Sequence, residues 1–290
     1  KSLETLNLKS EEGKSWYPKD TLIEIAMILK AIQSHSDMKL RQLALVVIGQ
    51  LLRDLSYQRK GEQKRYRVEG WRDFSENEKH SEVTPIFFKR LEFVANSLSD
   101  YSRSLPVASE EPEIIEFNSA SNPDFPGLAK SIDLVITSPP YGDSSTTVAY
   151  EQFSWFANNG LGMDTRVDGA LGREMMGGGA EIVPNYEFGH RTTDAILKRM
   201  PDRTREKNAK FLTEYYDSIC NVSKHVKVNG IVCYIVGNRT WKGAGSRRLR
   251  LDLFTKWAFE TNGFKMIGEI ITRDVINKSQ PYKSSNDGVS

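Results

Sequence analysis

Cysteine and histidine are scarce: the 290-residue chain has two of the first and four of the second. Cys220 falls in a helix-like stretch and Cys233 in a strand-like one, without metal-ligand spacing. They read as buried free thiols of a cytoplasmic protein, with no disulfide and no thiolate metal centre. His35, His80, His190 and His225 are scattered and point to no metal site. Long apolar runs are also missing. None approaches the ~20 residues of a membrane span, and no signal-peptide pattern opens the chain, so no membrane partner is expected. Charge of one sign is nearly absent as well, the formal net charge being +2. Global charge therefore does not announce a nucleic-acid partner, and local clustering has to be read instead.

What is present fits a globular protein: 39% hydrophobic and 27% charged residues. The length allows one large α/β domain with an appended helical part, or two domains. The most informative stretch is Asp133-Leu-Val-Ile-Thr-Ser-Pro-Pro-Tyr141. Its apolar run reads as a buried strand stopped by two prolines, which fix φ twice and remove two backbone donors. The turn at its carboxyl end presents carbonyl oxygens, the Ser138 hydroxyl and the Tyr141 ring. Such a turn suits a flat ligand bearing an amine, with acceptors for the N–H protons and a ring against the flat face. Pro-Pro after a strand is by itself more often a plain loop; the full string carries the functional reading.

The string Thr137-Ser138-Pro139-Pro140-Tyr141 resembles motif IV of the S-adenosylmethionine-dependent amino-methyltransferases, in which Asp, Asn or Ser precedes Pro-Pro and an aromatic. The form with Ser is most similar to the N4-cytosine branch, and Asp-Pro-Pro-Tyr is commoner in the N6-adenine branch. Outside this motif the similarity is diffuse, from about Trp16 onward. The resemblance implies an α/β fold: part of a Rossmann-like methyltransferase sheet with an N-terminal helical subdomain. It implies S-adenosylmethionine as cofactor and double-stranded DNA with a flipped target base as partner, in a restriction-modification system. Ser138, Pro139, Pro140 and Tyr141 would be the catalytic residues.

Along the chain, residues 1–105 read as the helical subdomain. Leu22, Ile25, Leu29 and Ile32 have helical spacing after a cap at Asp20; Leu40, Leu43, Val47 and Leu51 form a second stripe; Phe87, Leu91, Val94 and Leu98 form a third behind Pro85. Between the last two lies a basic segment, residues 53–72, in which Arg53, Arg59, Arg65, Arg67 and Arg72 alternate with Tyr57, Tyr66 and Trp71. Cations with interleaved aromatics suit phosphates and unpaired bases; a solvated loop is the bland alternative, because Glu62, Glu69 and Asp73 dilute the run. Arg59 is the first choice for a DNA contact there. Leu55 to Arg59 also resembles a segment found at this place in relatives.

Residues 106–290 read as the α/β core. Strands are expected at Ile114–Phe117, ending at Asn118, at the motif IV segment, at Ile231–Val236 after an Asn229-Gly230 turn, and at Phe264–Asp274. Helices are expected at Val148–Asn158, Asp202–Val226 and Arg247–Thr261. In a parallel sheet the ligand lies at the carboxyl ends of the strands, which sets Asn118 beside Ser138. By resemblance Asn118 occupies the place of an acid that bonds the cofactor's adenine amine, and Thr137 belongs to the same cofactor-binding set. Residues 160–201 lack periodicity and hold Gly177-Gly178-Gly179, Arg173 and Arg191. A loop of that length tends to be functional or disordered; Arg173 and Arg191 are its candidate DNA contacts.

The family's other signature, a Gly-rich turn after a first strand with a ribose-binding acid beyond it, has no match here. The segments around Gly178 and Gly243-Ala244-Gly245 both follow motif IV and lack the acid. A chain beginning at Lys1 and stopping at Ser290 reads as trimmed, or else a second polypeptide carries the Gly-rich cofactor motif. On either reading cofactor binding by this chain alone is expected to be weak.

Overall fold

The helical stripes of the first hundred residues become three helices in the computed structural model: α1 (Lys19–Ser34), α2 (Met38–Asp54) and α3 (Val83–Ser104). Residues 15–61, 64–68, 82–104, 112–115, 118–121, 129–142, 150–163, 176, 182–240 and 248–273 are described. They divide into two compact units, one from the described parts of Lys1–Pro112 and Tyr150–Val167, the other from those of Glu113–Ala149 and Asp168–Asn277. No described helix is long and apolar enough to cross a membrane.

In the first unit Ile25, Ile28, Leu29 and Ile32 of α1 meet Val47, Ile48, Leu51 and Leu52 of α2, one apolar stripe per helix. Asp37 caps α2, its carboxylate accepting from the amides of Lys39 and Leu40. Asp20 lies in the first turn of α1 instead of capping it, where a carboxylate still favours the helix dipole. Of the α3 stripe only Phe87 is fully buried, with Val83 joining it from the first turn. Helix α4 (Tyr150–Leu161), assigned from sequence to the α/β core, belongs to this unit. Its Trp155 and Phe156 enter the same core as Trp16, with the Phe156 ring 5.1 Å from Trp16, edge to face. Burial of two large aromatics decides where α4 packs.

The second unit holds β1 (Ile132–Thr137), α5 (Arg191–Leu197), α6 (Asp202–His225), β2 (Val226–Tyr234), β3 (Arg239–Thr240), β4 (Arg248–Leu249) and α7 (Leu251–Thr261). Strands β1 and β2 pair in parallel, and β3 and β4 form a short antiparallel ribbon. The unit is therefore α/β, a small parallel sheet with helices, compatible with a methyltransferase fold. Phe211, Leu212, Tyr215 and Ile219 of α6 pack against Leu251, Phe254, Ala258 and Phe259 of α7, and Val232, Tyr234 and Val236 lie on this core.

Several expected boundaries shift. Helix α6 ends at His225 and β2 starts at Val226 with no turn between. Asn229 and Gly230 lie inside β2 as an irregularity: Ile132 pairs with Val226, but Leu134 pairs with Ile231. Asn229 takes the left-handed conformation, φ 67°, which Asn tolerates better than most residues. A Cβ at Gly230 would stand 2.6 Å from Val226 Cγ1 and 3.0 Å from the Ile132 carbonyl oxygen. Residues 112–115 and 264–273 form no strand, contrary to the alternation read at Ile114–Phe117 and Phe264–Asp274. Alternation marks a segment able to join a sheet, but pairing needs a neighbouring edge. Glu116, Phe117 and Asp274 lie outside the described residues. Cys233 is exposed and Cys220 half-buried, so the expectation of two buried thiols is corrected.

Candidate functional site

Strand β1 delivers the Ser138–Tyr141 turn. The final ladder bond runs from the Ile235 amide to the Thr137 carbonyl, 2.9 Å, and the chain then leaves the sheet at Ser138. With two prolines in succession the turn cannot rejoin the ladder. It closes on itself: Ser138 Oγ and the Tyr141 hydroxyl are hydrogen-bonded at 2.6 Å. Ser138 is exposed, Pro139 and Pro140 are half-buried, and Tyr141 keeps 37% of its surface.

The carboxyl end of β2 supports the ring. A Cβ at Gly237 would stand 3.1 Å from Tyr141 Cδ2 and 3.2 Å from Cγ, so any side chain there would make the ring give way. The next residue, Asn238, accepts from the Asp252 amide at the start of α7, 3.2 Å. The Asp252 carboxylate in turn takes Arg250 Nη2 at 2.7 Å and the Leu253 amide at 2.9 Å. Burial raises the Asp252 pKa, but the bonds from Arg250, Asn238 and the Leu253 amide outweigh it and leave it below its ordinary value. Tyr234, paired with Thr137, points to the helices, and burial pushes its phenol up to about 12. It stays protonated and supplies no base.

Thr137 and Ser138 thus meet at one strand end, with Tyr141 over Gly237. Gly237 carried no signal in the sequence beyond its place after a predicted strand. Asn118 sits in a turn. Its Oδ1 accepts from the Ala120 amide at 2.9 Å, and its carbonyl accepts from the Ser121 amide at 3.2 Å. Asn221 of α6 pins that turn by donating to the Ser119 carbonyl, 2.8 Å. The hydrogen bonds of Asn118 therefore go to its own turn and not to Thr137 or Ser138.

In the helical unit Arg59 lies in a loop closed by Gln58. That buried side chain donates to the carbonyls of Arg59 and Lys64, and its oxygen accepts from the Tyr66 amide. Buried Ser56 accepts from the Gln58 amide at 3.1 Å. The Leu55–Arg59 stretch is thus a loop-shaping device, legible only as polar residues behind a helix end. The Arg59 guanidinium stands 5.2 Å from the Tyr66 ring. Other arginines of the segment stack inside this unit: Arg53 on Phe153 at 4.5 Å, Arg65 on Trp155 at 4.6 Å and Arg67 on Tyr57 at 4.9 Å. Arg72 and Trp71 lie outside the described residues.

The long segment 160–201 is more ordered than its sequence implies where it is described. Asp194 accepts from the amides of Phe188 and Gly189, at 2.9 and 3.0 Å. His190 stacks on Trp257, with ring centroids 5.5 Å apart. Burial lowers its pKa, with Asp194 partly offsetting the shift. Arg191 opens α5 on the surface. Arg173 and the glycine run lie outside the described residues.

Comparison with known proteins bears on this arrangement. The chain is similar to a Type II methyltransferase. It is 28% identical over 290 residues to Type II methyltransferase M.MvaI of Kocuria varians, a match covering 93% of this chain and 61% of that protein. The chain thus spans less than two thirds of the length of the relative it matches. No family model and no solved structure matches it.

Proposed function

We propose that the chain is the base-binding part of a site-specific DNA methyltransferase, belonging to a restriction-modification system. It would transfer a methyl group from S-adenosylmethionine to an exocyclic base amine, N4 of cytosine. One observation carries the reading: the Ser138–Tyr141 couple, backed by Gly237, at the carboxyl end of β1 in a chain similar to a Type II methyltransferase. The wider Rossmann-like sheet, DNA binding and a cytoplasmic location belong to the same proposal.

An exocyclic amine is a poor nucleophile because its lone pair is delocalised into the ring. Ser138 Oγ and the carbonyls of Ser138 and Pro139 would accept its two N–H bonds. That draws the nitrogen toward tetrahedral geometry and aims its lone pair. When the Ser138 proton points at the Tyr141 oxygen, the lone pairs of Oγ are left for the amine. The Tyr141 ring would stack on the extruded base, which costs about a few kcal/mol to unstack; stacking returns roughly 1–3 kcal/mol. Ser in place of Asp at the first motif position favours cytosine over adenine.

S-adenosylmethionine would supply the electrophilic methyl group. The residues present fit the base better than the cofactor, because the Gly-rich turn has no match in the sequence and Asn118 Oδ1 is engaged by Ala120. Asn118 retains a second lone pair for an adenine amine, and Thr137 stands at the end of β1. Arg59, Arg173 and Arg191 are the proposed contacts to DNA phosphates. The missing cofactor half would come from further polypeptide.

The test is incorporation of labelled methyl groups into DNA, with the cofactor-binding half supplied, followed by nucleoside analysis. N4-methylcytosine supports the reading. N6-methyladenine would overturn the choice of base, and no incorporation would overturn catalysis in favour of a DNA-recognition subunit.

A further inference from the structure

The parallel sheet is covered on one side. Register pairs Leu134 with Ile231, Val135 with Val232, Ile136 with Cys233 and Thr137 with Tyr234. Paired residues share a face and neighbours alternate, so Val135, Thr137, Val232, Tyr234 and Val236 form one face, half-buried toward α6 and α7. Leu134, Ile136, Ile231, Cys233 and Ile235 form the other. This second face is apolar, yet Leu134 is 52% exposed, Ile136 67%, Ile231 50% and Ile235 58%. Parallel strands are almost always buried on both faces, and an exposed apolar patch of this kind marks an interaction surface.

Two further observations say what covers it. Among the described residues each of β1 and β2 has a single neighbour, so each has an unpaired edge. The segments with strand alternation that form no strand leave their own apolar residues bare, with Ile114 at 96% and Ile271 at 86% exposure. The relative is longer than the stretch matched here, with 61% of it covered. We propose that the Leu134–Ile136–Ile231–Cys233–Ile235 face is the docking surface for an α/β polypeptide equivalent to the unmatched part of that relative. This polypeptide lays the apolar side of its helices across the face and adds strands at the open edges. The inference rests on the reading of the chain as the base-binding part of a methyltransferase, and it names where the cofactor-binding part attaches.

The experiment uses the full chain co-expressed with the part of the Kocuria varians methyltransferase outside the matched span, in wild-type form and as Ile136→Glu and Ile231→Lys. The expected result is a one-to-one complex by sedimentation, weakened more than 100-fold by either variant. The free chain should be a monomer, and its melting temperature should change by no more than a few degrees in the variants, since the substituted positions are exposed. Absence of a complex overturns the proposal, as does equal binding by the variants. A wild-type homodimer dispersed by the variants overturns it in favour of a second copy on the face. A fall of ten degrees or more in the free chain overturns it in favour of coverage by the chain itself. Complex formation without methyl incorporation leaves the docking surface standing and sinks the methyltransferase reading instead.

Discussion

Gly237→Ala tests the geometry of the proposed base site with a single methyl group. Gly237 lies outside the left-handed region, so alanine suits its backbone and gains about 0.4–1 kcal/mol through the unfolded state. The added carbon would start 3.1 and 3.2 Å from two ring carbons of Tyr141, where ordinary carbon contacts are about 3.5–4.0 Å. The ring must therefore move by about half an ångström. Overpacking in a core costs about 1–3 kcal/mol, but Tyr141 is 37% exposed and can yield toward solvent. The two effects nearly offset, and stability should change by less than about 1 kcal/mol. Activity should not be spared, because the same motion stretches the 2.6 Å bond to Ser138 and shifts the stacking face. A displacement of 1 Å can cost about a hundredfold in rate, so half of that implies about tenfold, or ~1.4 kcal/mol. The assay is labelled methyl incorporation with the cofactor-binding half supplied, repeated in a Tyr141→Ala background. Once the ring is gone the alanine has nothing to strike, and the two substitutions should be strongly non-additive. Gly237→Ala turnover within twofold of wild type, or an undiminished tenfold loss in the Tyr141→Ala background, would refute the supporting role of Gly237.

Tyr141→Ala should abolish most methyl incorporation and Ser138→Ala a large part of it, and unchanged turnover of Ser138→Ala would remove the amine-polarising role. Gly230→Ala should cost about 2 kcal/mol by denaturant unfolding, because two of the three clashing atoms are the backbone carbonyl oxygens of Ile132 and Lys227. Gln58→Ala should cost about 1–3 kcal/mol in the same measurement by stripping partners from the Arg59 and Lys64 carbonyls and the Tyr66 amide. Asp252 has a lowered pKa in the folded chain, so its contribution to stability is present above the ordinary Asp value of about 4 and is lost as pH falls through the folded value. Melting temperature followed from pH 6 to pH 3 should fall less steeply in Asp252→Asn than in wild type.

Helices were legible because a stripe of one period has one use: Ile25, Leu29 and Ile32, or Phe211, Tyr215 and Ile219, bury one face of a helix in a core. Strand β1 was legible because Pro139 and Pro140 end it. The predicted strands at Ile114 and Phe264 were not realised, since alternation records suitability for a sheet and says nothing of an available edge. Ser138 and Tyr141 are three residues apart, and their meeting follows from a tight turn. The approach of Gly237 joins segments almost a hundred residues apart, and nothing local in the sequence encodes it. The basic segment is legible only in composition: an arginine beside an aromatic looks the same whether the ring awaits a base or already carries the guanidinium.

The arginines parked on rings have a consequence for ionic strength. Each phosphate neutralised on DNA releases condensed counterions, and the logarithm of affinity falls with the logarithm of salt in proportion to their number. Arg53 donates to the carbonyls of Gln152 and Phe153, Arg67 to that of Ser15, and Arg65 lies on Trp155. Side chains held this way are half-buried and tied to partners in their own unit, which leaves them less available to phosphates. The salt slope of DNA binding should accordingly be shallower than the arginine content of residues 53–72 implies, and Arg53→Met should lower the melting temperature while leaving that slope unchanged.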